Sequence, residues 1–266
     1  MPLTPSHAVV ALAFVRTPLV PAAIAVGAMT PDLPLFVRVV VPGYGVTHDL
    51  AWLPVTVALA LGLLLIWRML LRPAVRELAP RAIAARLPRR WDASAADGLR
   101  ETFAVGASGV SWPALGLVVL SLAIGVVTHV GWDLFTHAGR GGVDLVPVLA
   151  QRWGPLPGYT WLQHGSSVLG LAILAAWGLG WLSRRRPAPV DRVLPAALRM
   201  AWWVSLPVVL ISAWLVGLAV LGPLDADFTA AHLAYRVLPP ACAVWGLATA
   251  ALCAGILVRR RAGAPR

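Results

Sequence analysis

The chain has 266 residues, 59% of them hydrophobic and 12% charged, with a mean hydropathy of +0.78. A soluble domain carries about 25% charged residues, so this composition excludes a water-soluble globular protein. The net charge of +11 rests on 22 basic residues, all arginine, which stand in short connections between apolar runs; that placement fits the loop bias of membrane proteins and speaks against nucleic-acid binding.

The first 49 residues are the least regular. Residues 8–15 are apolar, Arg16-Thr17-Pro18 interrupts, and residues 19–29 are apolar again up to Thr30-Pro31-Asp32. Two arrangements meet these facts: one broken span, or two half-length helices that dip in and return with His7 and Asp32 on the same side. Arg16 and the prolines Pro18 and Pro21 favour a broken or re-entrant form. The opening residues have no basic region ahead of an apolar core, so the N-terminus is expected to be retained.

Five runs long enough to span a bilayer follow, at 50–71, 113–135, 161–182, 200–221 and 233–258. The last contains Pro239 and Pro240 and is expected to be interrupted there. The expected fold is an all-α transmembrane bundle, a single integral membrane domain of five full spans plus the N-terminal broken or re-entrant pair.

Arginines alternate by side. The 72–112 connection, expected to be a loop, holds Arg72, Arg76, Arg81, Arg86, Arg89, Arg90 and Arg100. The connection after 182 holds Arg184, Arg185, Arg186, Arg192 and Arg199, and the tail holds Arg259, Arg260, Arg261 and Arg266. Connections on the other side, 136–160 and 222–232, carry only Arg140 and Arg152. The arginine-rich side is therefore expected to be cytoplasmic, with the C-terminus inside, in a bacterial plasma membrane. Cys242 and Cys253 lie in one helix about 16 Å apart, too far to bridge.

Under this topology His48, His129, His137, His164 and His232 all fall at extracytoplasmic helix ends, although the arginines alone set the topology. His129, Asp133 and His137 follow at i, i+4 and i+8 and share one helix face. Imidazole and carboxylate are ligands that zinc, manganese or iron accept, and an ionised aspartate near hydrocarbon needs compensation. Asp32 and Asp49 bring further carboxylates close to the histidines. Histidines and aspartates at helix ends also serve as caps and headgroup contacts, and His232, four residues from Arg236, fits that simpler role.

Ser6-His7, Thr30-Pro31-Asp32-Leu33-Pro34, Thr47-His48, the run from His129 through Asp133 to Thr136-His137, and Gln163-His164-Gly165-Ser166-Ser167 together resemble a bacterial membrane family, domain-of-unknown-function family 4184, over nearly the whole chain. More remotely, the order His, Pro-Asp, Thr-His and HxxxD is similar to the membrane-bound metal-dependent hydrolases, and HxxxD to a ligand pair of zinc-dependent phospholipase C. That likeness implies a metal site on His7, Asp32, His48, His129 and Asp133, with His137 and His164 as added candidates. The phospholipase pattern is not complete here, since Val168 stands four residues after His164.

The expected activity is divalent-metal hydrolysis, zinc or manganese foremost, of a lipid or phosphoester substrate, with Asp32, Asp49 or Asp133 as the base. Arg140, Arg152 and Arg236 are candidate phosphate contacts. A transporter or ion-handling protein using the same cluster is the alternative, and a membrane scaffold a third reading.

Overall fold

The computed structural model describes residues 3–37, 43–106 and 109–262. Arg266, counted above among the tail arginines, lies outside them.

Five helices are long and apolar enough to cross a membrane: Leu50–Leu78, Trp112–Thr136, Gly158–Ser183, Ala196–Leu221 and Ala230–Ala262. Each is apolar over most of its length, and the second departs from this where Ser121, His129 and Asp133 are buried. Proline or glycine marks several boundaries: Pro113 stands in the first turn of the second span, Pro157 and Pro195 precede the third and fourth, and Gly222 ends the fourth. Among the described residues the only strands are two hairpins of two-residue strands, Val105–Gly106 with Gly109–Val110 and Arg152–Trp153 with Leu156–Pro157.

Two expectations are corrected. The first span does not stop at residue 71 but runs on through Arg72–Leu78, so part of the expected arginine-rich loop is helix, and short helices Arg81–Ala84 and Ala95–Thr102 occupy more of it. The continuation passes Pro73 by a wide π-turn at Trp67–Leu71, which absorbs the hydrogen bond that proline cannot donate. The fifth span, expected to break at Pro239-Pro240, is uninterrupted. Two missing N–H donors free only the carbonyls one turn earlier, and the ladder on either side holds the helix.

The N-terminal segment folds as a pair of short helices joined by a reversal. A 3-10 helix, Thr4–Phe14, is followed by a reversal and by the α-helix Pro21–Met29, which passes into a 3-10 turn, Thr30–Asp32. The start of the first helix thereby meets the end of the second.

The described residues form two compact units. The first draws on Met1–Leu33, Pro42–Trp67 and Ala96–Arg185, the second on Pro34–Val41, Arg68–Ala95 and Arg186–Arg266. The first unit packs around Ala23, Ala60, Leu64, Val118 and Leu122. The second packs around Ala74, Leu78, Leu194, Cys253 and Ile256.

Candidate metal centre

Every residue of the centre belongs to the first unit, and its geometry starts from two glycines. Gly27 of the helix Pro21–Met29 and Gly125 of the second span let the two backbones touch. A Cβ at Gly125 would stand 2.3 Å from the Ile24 carbonyl oxygen, and one at Gly27 would stand 2.3 Å from that of Leu122. Only glycine permits this approach, the device membrane helices use to pack without a hydrophobic driving force. One turn beyond Gly125, the close approach brings His129 against the helix Pro21–Met29, and its Nδ1 donates to the Ala28 carbonyl at 2.7 Å. With the proton held on Nδ1, the Nε2 lone pair points away from the carbonyl, into the protein.

The reversal in the N-terminal pair supplies the second group of side chains. Thr4 Oγ1 donates to Asp32 Oδ2 at 2.6 Å, which fixes that carboxylate. His7, three residues after Thr4, stacks on His129 with ring centroids 4.0 Å apart. The third span anchors this helix: Leu3 N donates to Ser167 Oγ at 3.0 Å, and Gly170 leaves room for the Ser6 backbone.

His48 arrives from the short helix Tyr44–Thr47. Thr47 Oγ1 donates to the Pro31 carbonyl at 2.7 Å and ties this helix beside Asp32. His48 Nδ1 lies 3.0 Å from the Tyr44 carbonyl and donates to it, while the Tyr44 ring stacks on the imidazole at 3.7 Å. His48 therefore also turns an Nε2 lone pair inward.

These lone pairs converge. His48 Nε2 and His129 Nε2 are 3.2 Å apart. Asp133 Oδ2 lies 3.5 Å from the first and 3.6 Å from the second, and Asp32 Oδ1 lies 3.9 and 3.7 Å from them. His7 Nε2 stands 3.9 Å from Asp133 Oδ1. All five residues are buried, none more than 9% exposed. His7 Nε2, Asp32 Oδ1 and Asp133 Oδ1 have no hydrogen-bond partner among the described residues, and leaving such atoms unsatisfied is costly in a dry interior.

A shared cation would resolve this arrangement. Two neutral imidazoles with facing lone pairs repel unless something positive lies between them. A divalent ion held at about 2.0–2.2 Å by nitrogen and oxygen ligands needs those atoms about 3.3–3.5 Å apart in a tetrahedron, close to the spacings seen. Two triads lie within 4.8 Å internally: His7, His129 and Asp133, and Asp32, His48 and His129. Both use His129, whose Nε2 has one lone pair, so a single ion can claim it.

The remaining candidates stand elsewhere. His137 follows the span's last residue and orients the centre from outside: its Nδ1 is 3.3 Å from the Asp133 carbonyl and 3.6 Å from Oδ2, while its Nε2 faces the Gln163 amide at 3.2 Å. Burial holds its imidazole below the ordinary histidine value. His164 is exposed on the third span and outside both triads, although its neighbour Gln163 is buried. Asp49 is exposed and caps a helical turn through Ala51 N at 2.9 Å. Arg152 is exposed and bonds the Pro155 carbonyl at 2.6 Å within its own hairpin. Arg140 is half-buried, and its charge bears on His137. Arg236 and His232 belong to the second unit, where Arg236 lies over Phe228 and His232 pairs with Thr229. Sequence reasoning missed Thr4 and Tyr44. A signal for Tyr44 was present, since it precedes His48 by four residues, the spacing of one helical turn.

The family model described as Domain of unknown function (DUF4184) matches residues 1–258, and the chain belongs to that family. Searches of curated proteins and of solved structures matched none to this chain.

Proposed function

We propose that this member of the family is a metal-dependent hydrolase of the membrane, acting on a lipid or phosphoester substrate. Its divalent ion, zinc or manganese, draws its ligands from among His7, Asp32, His48, His129 and Asp133. The observation that supports this reading is the pair of Nε2 lone pairs facing each other at 3.2 Å among carboxylate oxygens with no hydrogen-bond partner. Those atoms are the donor set such an ion accepts.

When bound, the ion supplies Lewis acidity toward a phosphoryl or acyl oxygen and lowers the pKa of a bound water. The protein's own groups do the rest. The Ala28 and Tyr44 carbonyls keep His129 and His48 in the ligating tautomer, as outer partners of metal-binding histidines do. Thr4 holds one oxygen of Asp32 and leaves the other free. Asp32 and Asp133 are the two buried carboxylates able to take a proton from an attacking water, a role the exposed Asp49 is not placed to fill. The arginine distribution assigns the centre to the extracytoplasmic side of a bacterial plasma membrane and the C-terminus to the cytoplasm.

Elemental analysis tests the reading directly. Purified wild type is expected to carry stoichiometric divalent metal, and His129→Ala/Asp133→Ala to carry none, with both eluting as folded protein. Equal metal content in the two would overturn the centre. Metal in the wild type without hydrolysis of phospholipids or phosphodiesters, together with cation flux into vesicles that His129→Ala abolishes, would replace the hydrolase with a transporter.

A further inference from the structure

A cavity of about 580 Å³ opens beside the centre, walled by the N-terminal helix, the second span and the third span. Its lining is mostly apolar, with Val10, Leu169 and Ile173 among it, and His7 and His129 bring the centre's imidazoles into the same wall. Leu169 and Ile173 are 61% and 43% exposed on a helix apolar enough to span a membrane, so this side of the cavity opens onto hydrocarbon.

The groove exists because of a missing side chain. Gly131 stands two residues from both His129 and Asp133, and a Cβ built on it meets nothing within 4 Å. Next to it Trp132 forms a fixed wall, its indole Nε1 donating to Ser166 Oγ across to the third span at 3.2 Å. The second span contributes from Thr128 to Phe135, seven steps of about 1.5 Å, giving a wall of about 10 Å that includes the His129 imidazole.

We infer that this groove seats one acyl chain of the substrate, entering from the bilayer with its ester or phosphoester end at His7 and His129. The inference rests on the hydrolytic reading of the centre and narrows its substrate class to acyl lipids. A water-soluble phosphoester would meet apolar walls along this route, whereas a chain already in the bilayer enters without exposing methylenes to water. The walls join apolar side chains to the two imidazoles, as a lipid joins its tail to its headgroup.

The test is photolabelling of the full chain, reconstituted in phosphatidylcholine vesicles containing a trace of phosphatidylcholine with a diazirine in one acyl chain. Wild type is expected to be labelled at Val10, Leu169 and Ile173 about tenfold more than at Val216 and Val220, exposed positions of the fourth span that serve as a measure of ordinary lipid contact. Gly131→Phe, whose side chain fills the groove from an open position, should remove that excess and keep its metal. Gly178→Leu, at another open glycine outside the groove, should change neither. Labelling no higher in the groove than at Val216, or an excess that survives Gly131→Phe, overturns the groove. Should Gly131→Phe also lose metal, Ile173→Trp on the opposite wall decides by the same comparison. Excess labelling in protein without metal would retain the groove and refute the hydrolase, and metal without excess labelling would do the reverse.

Discussion

Each unit buries a cluster of charged and polar side chains, and the two clusters are finished differently. In the second unit Glu77 is fully buried and every acceptor direction is used: Val193 N and Leu194 N donate at 2.9 and 3.2 Å, and Arg199 and Arg260 approach at 3.4 and 3.6 Å. Arg76 beside it bonds Asp92 and the carbonyls of Ala84 and Pro189. In the first unit the His/Asp cluster is held as firmly from behind, by Ala28, Tyr44, Thr4 and Thr47, but leaves donors and acceptors unused at its middle. A buried charge whose partners are complete is a fastening. One whose outer partners are complete and whose inner atoms include His7 Nε2, Asp32 Oδ1 and Asp133 Oδ1 without a hydrogen-bond partner has the groups that could hold an ion.

The sharpest way to break this comparison is to remove the fastening. Glu77→Ala strands two arginines and two backbone N–H groups, and breaking a buried pair costs about 3–5 kcal/mol. Denaturant unfolding in detergent should show a loss of that size, while the folded fraction keeps its metal. The converse change, His129→Ala, should abolish metal binding with a smaller loss of stability in metal-free protein. If His129→Ala destabilised the metal-free protein more than Glu77→Ala, the distinction between the clusters would be wrong.

Gly125→Leu attacks the scaffold behind the centre. Its Cβ alone meets backbone at 2.3 Å, so the two helices must part. Overpacking of this kind costs about 1–3 kcal/mol, and displacement of Ala28 from His129 should weaken metal binding as well. Gly116→Leu, at an open glycine of the same span, is the control and should alter neither unfolding nor metal content.

Thr4→Val isolates one outer partner. It removes the hydrogen bond to Asp32 Oδ2 with almost no change in volume, and loss of such a partner lowers metal affinity about 10–100-fold. Competition with a chelator measures this, and thermal unfolding of the metal-free protein should barely move. Acid should act in the same direction: protons compete with the ion for imidazole lone pairs, so metal is expected to be retained at neutral pH and lost on acidification.

What could be read in the sequence, and what could not, follows the range of the interactions. The five spans were legible because hydropathy is local; their ends differ where one helix runs past Pro73 and where Pro239-Pro240 fail to break another. The His129/Asp133 stripe was legible because both residues lie one turn apart on one helix. The partners gathered around it are distant in the chain: Ala28 lies 101 residues from His129, and Thr4 lies 28 from Asp32. No periodicity reports such pairs. Gly27 and Gly125 look like any small residues of a membrane helix until the helices are placed together. His164 shows the opposite failure, a histidine in a recognisable run that its helix turns outward while Gln163 turns in.

His164→Ala is accordingly the smallest expected effect and a sensitive check on the ligand set. The residue is exposed, stands outside both triads, and has neighbours on its helix that meet the centre's supports through Gln163 and Ser167. Its removal should change stability by no more than about 0.5 kcal/mol, the range of surface substitutions, and leave chelator competition unchanged. Gln163→Leu, one position earlier, should by contrast loosen His137 and weaken metal binding measurably, because it strips the only hydrogen bond given to His137 Nε2 among the described residues. A reversal of that order, with His164→Ala releasing the ion and Gln163→Leu retaining it, would mean that the third span presents its other face to the centre, and the assignment of ligands would have to be redrawn around His164.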